Sequence, residues 1–553
     1  MASLMNRARM EVNAANPMDG HSSICTIFKI PKHIRQLDDK AYDPVVASFG
    51  PFNNASPYST SVTQDNKWQC VRHLLSRHGS SERANELLEI CLKELVGLDK
   101  RVRSCYSGQI PLDAEALALI MLLDGCFIIY LMLKRKESLE KRKKENRTGE
   151  KTKEKVEDVV GNWEDETPKK DKGKNGEKEN VVTKFEDETS KEDESKNRGE
   201  RGIGEGEVVL NIQEEEGLLD GPTMVGLSTF YLAVYDLLKL ENQIPFFVIE
   251  LLLDWLKTIE DGNIDLVDLA LQLFKDIHPN ESRSFVKKSP GEYHHLLHLF
   301  YLSRILSEMP AKSTSARGCM HIPHVYPKWK TTEAAPIRRA WASAPRWTPN
   351  ATELDRAGVK FKRKEPVDSF LNITFEWRKK MEMTPVLGLL KSFLMFKSGR
   401  MEIPSLQIYD YTGPLFQNLI AFEQCYFRTE MYITIYTLFM DCIIDQAEDV
   451  RLLHLKGILE HKLSNDQAVA ELFNQLGSQI HFYWETDYLK NHIAKVIEGV
   501  NEFYEFKWHK WLAGLRRDYL GNPWSIISVF AAVILLLLTI EQAVFAALSY
   551  VKS

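Results

Sequence analysis

From Trp524 to Ile540 the chain reads WSIISVFAAVILLLLTI without a charge, and AVFAALSYV continues the apolar run from Ala543 to Val551. At roughly 1.5 Å per residue, a helix over this stretch reaches or exceeds the roughly 30 Å hydrocarbon core of a bilayer. A surface this apolar needs either a protein core or lipid around it, and the expectation is a transmembrane helix over 524–550. Asn522 and Pro523 suit the start of a helix. Trp524 and Tyr550 stand where interfacial aromatics belong. The weak point is Glu541, because a charge at mid-bilayer costs about 2.5–3.5 kcal/mol. If the span runs from Trp524 to about Phe545, this carboxylate lies near the far interface and costs little. The alternative is a buried core helix ending at Ile540.

The flanks set an expected orientation. Lys507, Lys510, Arg516 and Arg517 crowd the upstream side, against Lys552 downstream. The positive-inside bias then puts the body in the cytosol, with the bilayer as one expected partner. The opening MASLMNRARMEVNAANPMDG has no apolar core of the signal-peptide kind. The expected localisation is therefore a single-pass C-terminal (tail) anchor in the plasma membrane or an endomembrane. Eight cysteines are scattered without a CxxC pair, as expected of free thiols in a reducing compartment. Sequons at Asn54, Asn146, Asn280, Asn350 and Asn372 would go unused on that side, and their glycosylation would invert the topology. A net charge of -6 argues against a nucleic-acid partner.

Composition and periodicity divide the rest. Residues 1–23 read as a flexible leader, 24–133 and 218–515 as two parts of one α-rich domain, and 134–217 as a charged low-complexity insertion. The insertion is too poor in apolar residues to offset its ordering entropy, so disorder is expected, although KRKESLEKRKKE could extend the preceding helix. In the first part, ICTIFKIPKHI looks like a short strand ended by Pro31, and AYDPVVASFGPFNNASPY like a surface loop. Helical spacing follows in NKWQCVRHLLSRH, ERANELLEICLKELVGL and LDAEALALIMLLDGCFIIYLMLK. In the second part, STFYLAVYDLLKLENQIPFFVIELLLDWL reads as two helices joined near Asn242, with Asn242 or Gln243 as cap and Pro245 in the first turn. A small β-element is expected around 367–409 and a loop over 314–347. Helices are expected from Gly413-Pro414 to about Asp445, over EDVRLLHLKGILEHKL and over NDQAVAELFNQL. The fold class is mainly α, with a small β-element and one C-terminal transmembrane helix.

No catalytic constellation emerges. A phosphate cradle and a nucleophile elbow are absent, and GIGEG at 202–206 has no strand before it. His294 and His298 share a helical face, but no third ligand can be named beside them, so no metal or cofactor is expected. Asp124, Glu241, Glu423 and Asp441 lie in apolar helical contexts, where a carboxylate must find donors or shift its pKa. They could be catalytic acids, yet capping or inter-helix hydrogen bonds account for them without chemistry.

Read in order, IFKIPKHIR, AYDPVVASFGPF, MLLDGCFIIYL, DLLKLENQIPFFVIELL, ATELDRAGVKFK, IPSLQIYDYTGPLFQNLIAFEQCY, EDVRLLHLKGIL and NPWSIISVFAAVILLLLTI resemble the plant domain-of-unknown-function 247 family. The resemblance is collinear from Ile24 to the C-terminus and omits the leader and the insertion. Asn53-Asn54 stand where members often carry histidines. It implies an α-rich plant body with a C-terminal membrane helix and no agreed activity; some grass members are implicated in self-incompatibility, which hints at recognition. It implies no catalytic residues. Within LENQIPFF and NLIAFEQC, the residues Glu241, Asn242, Gln243, Asn418, Glu423 and Gln424, together with Asp124, are expected to build a buried polar network that fixes helix register. The expected function is a membrane-tethered, non-enzymatic recognition or scaffold protein with a protein partner. The alternatives are a receptor-like self-recognition module with its body outside the cytosol and an enzyme using the buried carboxylates.

Overall fold

In the computed structural model the described residues are essentially 25–53, 64–161, 227–305, 348–377, 399–426, 429–480, 492–505 and 523–552, apart from single positions within them. They are mostly helical. The chain divides into two units, one formed by Met1–Arg135 with Gly221–Ser553, the other by Lys136–Asp220.

The first unit opens with α1 (Lys32–Arg35), α2 (Gln64–Ser76), α3 (Ser81–Gly97) and α4 (Asp99–Ser104), followed by α5 (Ala114–Gly161). The strand expected before Pro31 shrinks to one parallel bridge between Ile27 and Tyr106. Ser80 caps α3, its side chain accepting from the Arg83 amide at 3.2 Å. From Leu117 to Leu133 most side chains of α5 are buried. Among the described residues, Ala114–Lys144 is the one helical stretch long and apolar enough to cross a membrane, and most of it lies inside the body. It is the central core helix.

The composition change at Lys134 does not end α5, which continues to Gly161. The start of the insertion is thus helical rather than disordered. An i,i+4 pair between Lys136 and Glu140, 4.0 Å apart, supports the helix there. The rest of the insertion, from 162 to 217, lies outside the described residues.

After it come α6 (Leu227–Asp236), α7 (Phe246–Leu256), α8 (Leu266–Leu273), α9 (Leu296–Arg304) and α10 (Ala351–Arg356). The α6–α7 junction falls where the sequence put it, but Pro245 is the N-cap of α7 and no side chain caps it. Asn242 and Gln243 are used elsewhere, as described below.

Strands β1 (Val359–Arg363), β2 (Thr374–Glu376) and β3 (Gly399–Ile403) form one sheet in the order β1-β3-β2, with β3 parallel to β1 and antiparallel to β2. Strand β4 (Leu406–Ile408) precedes α11 (Thr412–Cys425), α12 (Tyr432–Ile443) and α13 (Ala447–Leu455), and then pairs in parallel with β5 (Leu459–His461). The expected single helix over EDVRLLHLKGILEHKL is therefore a helix and a strand. Gly457, at φ +68, takes the left-handed conformation that stops α13 and frees the next residues to pair. The run after Gly413 is two helices, one ending at Cys425 and the next starting at Tyr432, with Met431 before it at φ +51. Helix α14 (Asp466–Ser478) is capped by Asn465, whose Oδ1 accepts from the Ala468 amide at 2.8 Å. The loop expected over 314–347 lies outside the described residues.

Helices α15 (His492–Glu505) and α16 (Pro523–Lys552) close the chain. Along α16, the described Ile534–Leu538, Ile540, Val544 and Phe545 are exposed. The apolar stretch described there, Ile534–Ala546, falls short of a full span, so the expected transmembrane character of this helix does not follow from the fold itself. Glu541 is exposed on it, whereas the side chains of Trp524 and Tyr550 lie outside the described residues.

Candidate functional site

The largest concentration of buried polar groups lies where residues 26–53 cross the loop between α6 and α7. Residues 43–50 adopt no helix or strand, so their amides need partners from elsewhere. Asp236, the last residue of α6, supplies three of them. Its carboxylate accepts from the amides of Val45 at 2.8 Å, Val46 at 2.7 Å and Ala47 at 2.9 Å. Lys239 Nζ lies 3.2 Å from the same carboxylate and donates to the Asp43 carbonyl.

Asn242 continues the pattern. Its Oδ1 accepts from the Phe49 amide at 2.6 Å and from Asn53 Nδ2 at 3.0 Å. Its Nδ2 donates to the carbonyls of Ala47 at 3.0 Å and Asp236 at 2.9 Å. All four hydrogen-bonding positions of the amide are thereby used. Gln243 Nε2 donates to the carbonyls of Leu237 at 2.6 Å and Lys239 at 2.8 Å, and its Oε1 accepts from the Leu297 amide at 3.1 Å. It ties the junction to α9.

Gly50 closes the crossing. It sits at φ +69, and a Cβ there would lie 2.5 Å from the Gln243 carbonyl oxygen. Its amide donates to Asp124 Oδ2 at 2.7 Å. The other oxygen of Asp124 pairs with Lys67 Nζ at 2.5 Å. Burial pushes the Asp124 carboxyl up, against the opposing pull of Lys67 and the Gly50 amide. Glu241 accepts from the Ile30 amide at 2.5 Å and pairs with Arg35, which also holds Asp43 at 2.7 Å. Asn418 of α11 accepts from the Leu240 amide at 2.8 Å and donates to the Ala41 carbonyl at 3.0 Å.

Five of the expected network residues therefore meet here: Asp124, Glu241, Asn242, Gln243 and Asn418. Glu423 does not. It caps the start of α12, accepting from the amides of Ile433 at 2.9 Å and Thr434 at 2.7 Å and from the Thr434 hydroxyl at 2.6 Å. Burial raises its carboxyl to about 6, against those bonds. Gln424 belongs to neither group, its Nε2 being buried without a hydrogen-bond partner. The segment 41–50 is a buried strap rather than the expected surface loop: Tyr42, Val46, Ala47 and Phe49 are in the core. Asp236, Lys239, Arg35 and Lys67 escaped the sequence analysis. Asp236 alone left a trace there, as a carboxylate inside the apolar run FYLAVYDLL.

The histidine cluster is equally engaged. His295 is the N-cap of α9, its Nδ1 accepting from the His298 amide at 3.2 Å while Nε2 lies 3.1 Å from the Thr26 carbonyl. Burial lowers His295 to about 3 and takes His298 well below the usual histidine range, so both rings are neutral. His294 meets the Tyr426 hydroxyl at 2.9 Å. Among the described residues no group of three His, Cys, Asp or Glu is arranged to hold a metal ion. All seven described cysteines are free thiols, and Cys319 lies outside the described residues. As arranged, these carboxylates and imidazoles hold backbone in place, with donors already on their oxygens.

Comparison with known proteins bears on the whole arrangement. A family described as a plant protein of unknown function matches residues 27–538. A UPF0481 protein of Arabidopsis thaliana is 26% identical over 531 residues, covering 96% of this chain and 87% of its own length. A putative UPF0481 protein of the same plant is 28% identical over 194 residues, 35% of this chain and 32% of its own. No solved structure matches.

Proposed function

The chain belongs to the DUF247 family of plant proteins, and on that footing we propose that it is a membrane-tethered, non-enzymatic recognition or scaffold protein whose helical body binds a protein partner. The observation that carries the tether is α16, whose apolar side chains from Ile534 to Leu538 lie exposed. An apolar face of that kind is costly in water and stable in lipid. Support for recognition over turnover comes from the carboxylates. Asp124 and Glu241, the candidate acids, are occupied by backbone amides and by Lys67 and Arg35.

Membranes from plant cells expressing the full chain test this. A tether leaves the protein in the pellet after alkaline carbonate extraction; release into the supernatant refutes it. With the body in the cytosol, added protease digests it in sealed vesicles. A body outside the cytosol, the receptor-like alternative, has an exposed acceptor in Asn280 of the sequon Asn280-Glu281-Ser282. A glycosidase-sensitive mobility shift abolished by Asn280→Gln would establish that orientation. Proximity labelling that returns no reproducible protein neighbour would count against the recognition role.

A further inference from the structure

Serine or threonine followed by proline occurs twice among the described residues, at Ser289-Pro290 and at Thr348-Pro349. The fold treats the two differently. Thr348 is buried, whereas Val286, Lys287, Lys288 and Ser289 are exposed one after another. Ser289 has extended backbone, at φ -60 and ψ 143, just before a single 3-10 turn over Pro290–Glu292, and its side chain does not cap that turn. Among the described residues neither its hydroxyl nor the amides of Val286, Lys287 and Ser289 make a hydrogen bond. The Lys288 amide is held, donating to the Tyr293 hydroxyl at 2.9 Å. An extended stretch with free amides is the form in which a peptide-binding cleft takes up chain, and here no helix or sheet has to break to supply it.

We infer that Ser289 is a phosphorylation site for a proline-directed protein kinase, with ATP as the phosphoryl donor. The inference rests on the reading that puts the body in the cytosol, where ATP and such kinases are found. Pro290 has no amide hydrogen, so a kinase groove without an acceptor at that position leaves nothing of this chain unpaired. In the transfer, Ser289 Oγ bonds to the γ-phosphorus of ATP and the bond from that phosphorus to the β,γ-bridging oxygen breaks. The hydroxyl proton goes to the kinase's base and ADP leaves. The surroundings give the product a consequence. Lys287 Nζ holds Asp265 at 2.8 Å and Asp268 at 2.6 Å, at the start of α8, and Lys288 Nζ lies 3.6 Å from Glu292. Three carboxylates thus share two lysines. A phosphate of charge about -1.5 to -2 beside them competes for both ammonium groups and repels the carboxylates. Phosphorylation therefore loosens the tie between this segment and α8.

The test uses the full chain in two samples, with phosphopeptides read by mass spectrometry. One is the protein in detergent with a purified proline-directed kinase and magnesium-ATP; the other is isolated from plant cells under phosphatase inhibition. The expected result is phosphate on Ser289 in both and none on Thr348. Ser289→Ala removes it, and so does Pro290→Ala, which keeps the hydroxyl; unchanged thermal unfolding shows that both variants still fold. Carbodiimide coupling of Lys287 to Asp265 or Asp268, which joins an ammonium to a carboxylate in contact with it, should fall roughly two- to fivefold on phosphorylation, the range set by exposed ion pairs. Unchanged coupling overturns the loosening. No phosphate on Ser289 in the kinase reaction, or equal phosphorylation of Pro290→Ala, overturns the site. Phosphate in the kinase reaction but not in the cell sample overturns the modification and leaves the tether standing. If the cell sample also shows the glycosidase-sensitive shift at Asn280, the cytosolic reading falls with it.

Discussion

Asp236→Ala is the sharpest perturbation of the buried strap. The residue is wholly inaccessible to solvent, and its carboxylate is the acceptor for three consecutive amides, those of Val45, Val46 and Ala47. Truncation leaves the amides of Val46 and Ala47 without a partner in a dry site, at about 1–3 kcal/mol for each buried orphan, whereas the exposed Val45 can turn its amide to water. It also strands the Lys239 ammonium, which is about as buried as its partner, and losing one member of a buried pair costs about 3–5 kcal/mol. These contributions share partners and do not add. Their sum is also bounded by the strap's own binding to the body, because the strap can detach and regain water. We therefore expect a loss of about 4–6 kcal/mol, comparable with the whole stability of many domains. Hydrogen exchange of the full chain in detergent reads it locally: amides of 45–50 should lose at least a hundredfold of protection, with α12 and α14 much less affected. Asp236→Asn keeps the shape and one acceptor and should lose less. If Asp236→Ala costs under about 1 kcal/mol and the strap keeps its protection, the clamp does not hold the strap and the reasoning fails.

Further outcomes follow from the same geometry. Gly50→Ala forces a left-handed non-glycine residue into contact with the Gln243 carbonyl, and should lower stability by about 2–4 kcal/mol in thermal unfolding. Lys67→Met leaves the Asp124 carboxylate buried with the Gly50 amide as its donor and should cost about 3–5 kcal/mol; Lys67→Met with Asp124→Leu should recover a large part, a coupling that a double-mutant cycle measures. The Glu423 carboxyl is raised in the folded protein to about 6 from an ordinary 4.5, so the folded state holds its proton more tightly than the unfolded chain. Its contribution is fully present below pH 4.5 and is lost as pH rises through 6, about 2 kcal/mol in all, and Glu423→Gln should remove that slope from a pH series of unfolding midpoints. Gln424→Ala, outside both polar groups, should change stability by less than about 0.5 kcal/mol.

How much of this was legible beforehand depended on whether a feature is local. Helical spacing along 114–133, 227–236 and 466–478 places apolar residues on a face within a few turns, and periodicity alone identifies it. The isolated polar residues of LENQ and NLIAFEQC are visible for the opposite reason: a polar group in an apolar run must be paired, so its presence announces a network. The partners of Glu241, Asn242 and Asn418 lie 211, 193 and 178 residues away in sequence, and no local pattern states a contact at that separation. Gln424 sits beside Glu423 in the same polar pair of the sequence, yet its Nε2 is buried without a partner while the Glu423 carboxylate accepts two amides.

The sequence by itself determined the helical class, the family, the charged insertion and the apolar character of the segment after Pro523, because composition and periodicity are properties of a short stretch of chain. Tertiary structure decided the rest. It made the 114–144 segment, apolar enough for a membrane, into the core helix of the body, since neighbouring elements cover it. It turned a stretch rich in Pro, Gly and Asn from a surface loop into a buried strap, since Asp236, Asn242 and Asp124 supply the acceptors that its own backbone cannot. Burial and pairing depend on which distant segments meet, and that is settled only when the chain closes on itself.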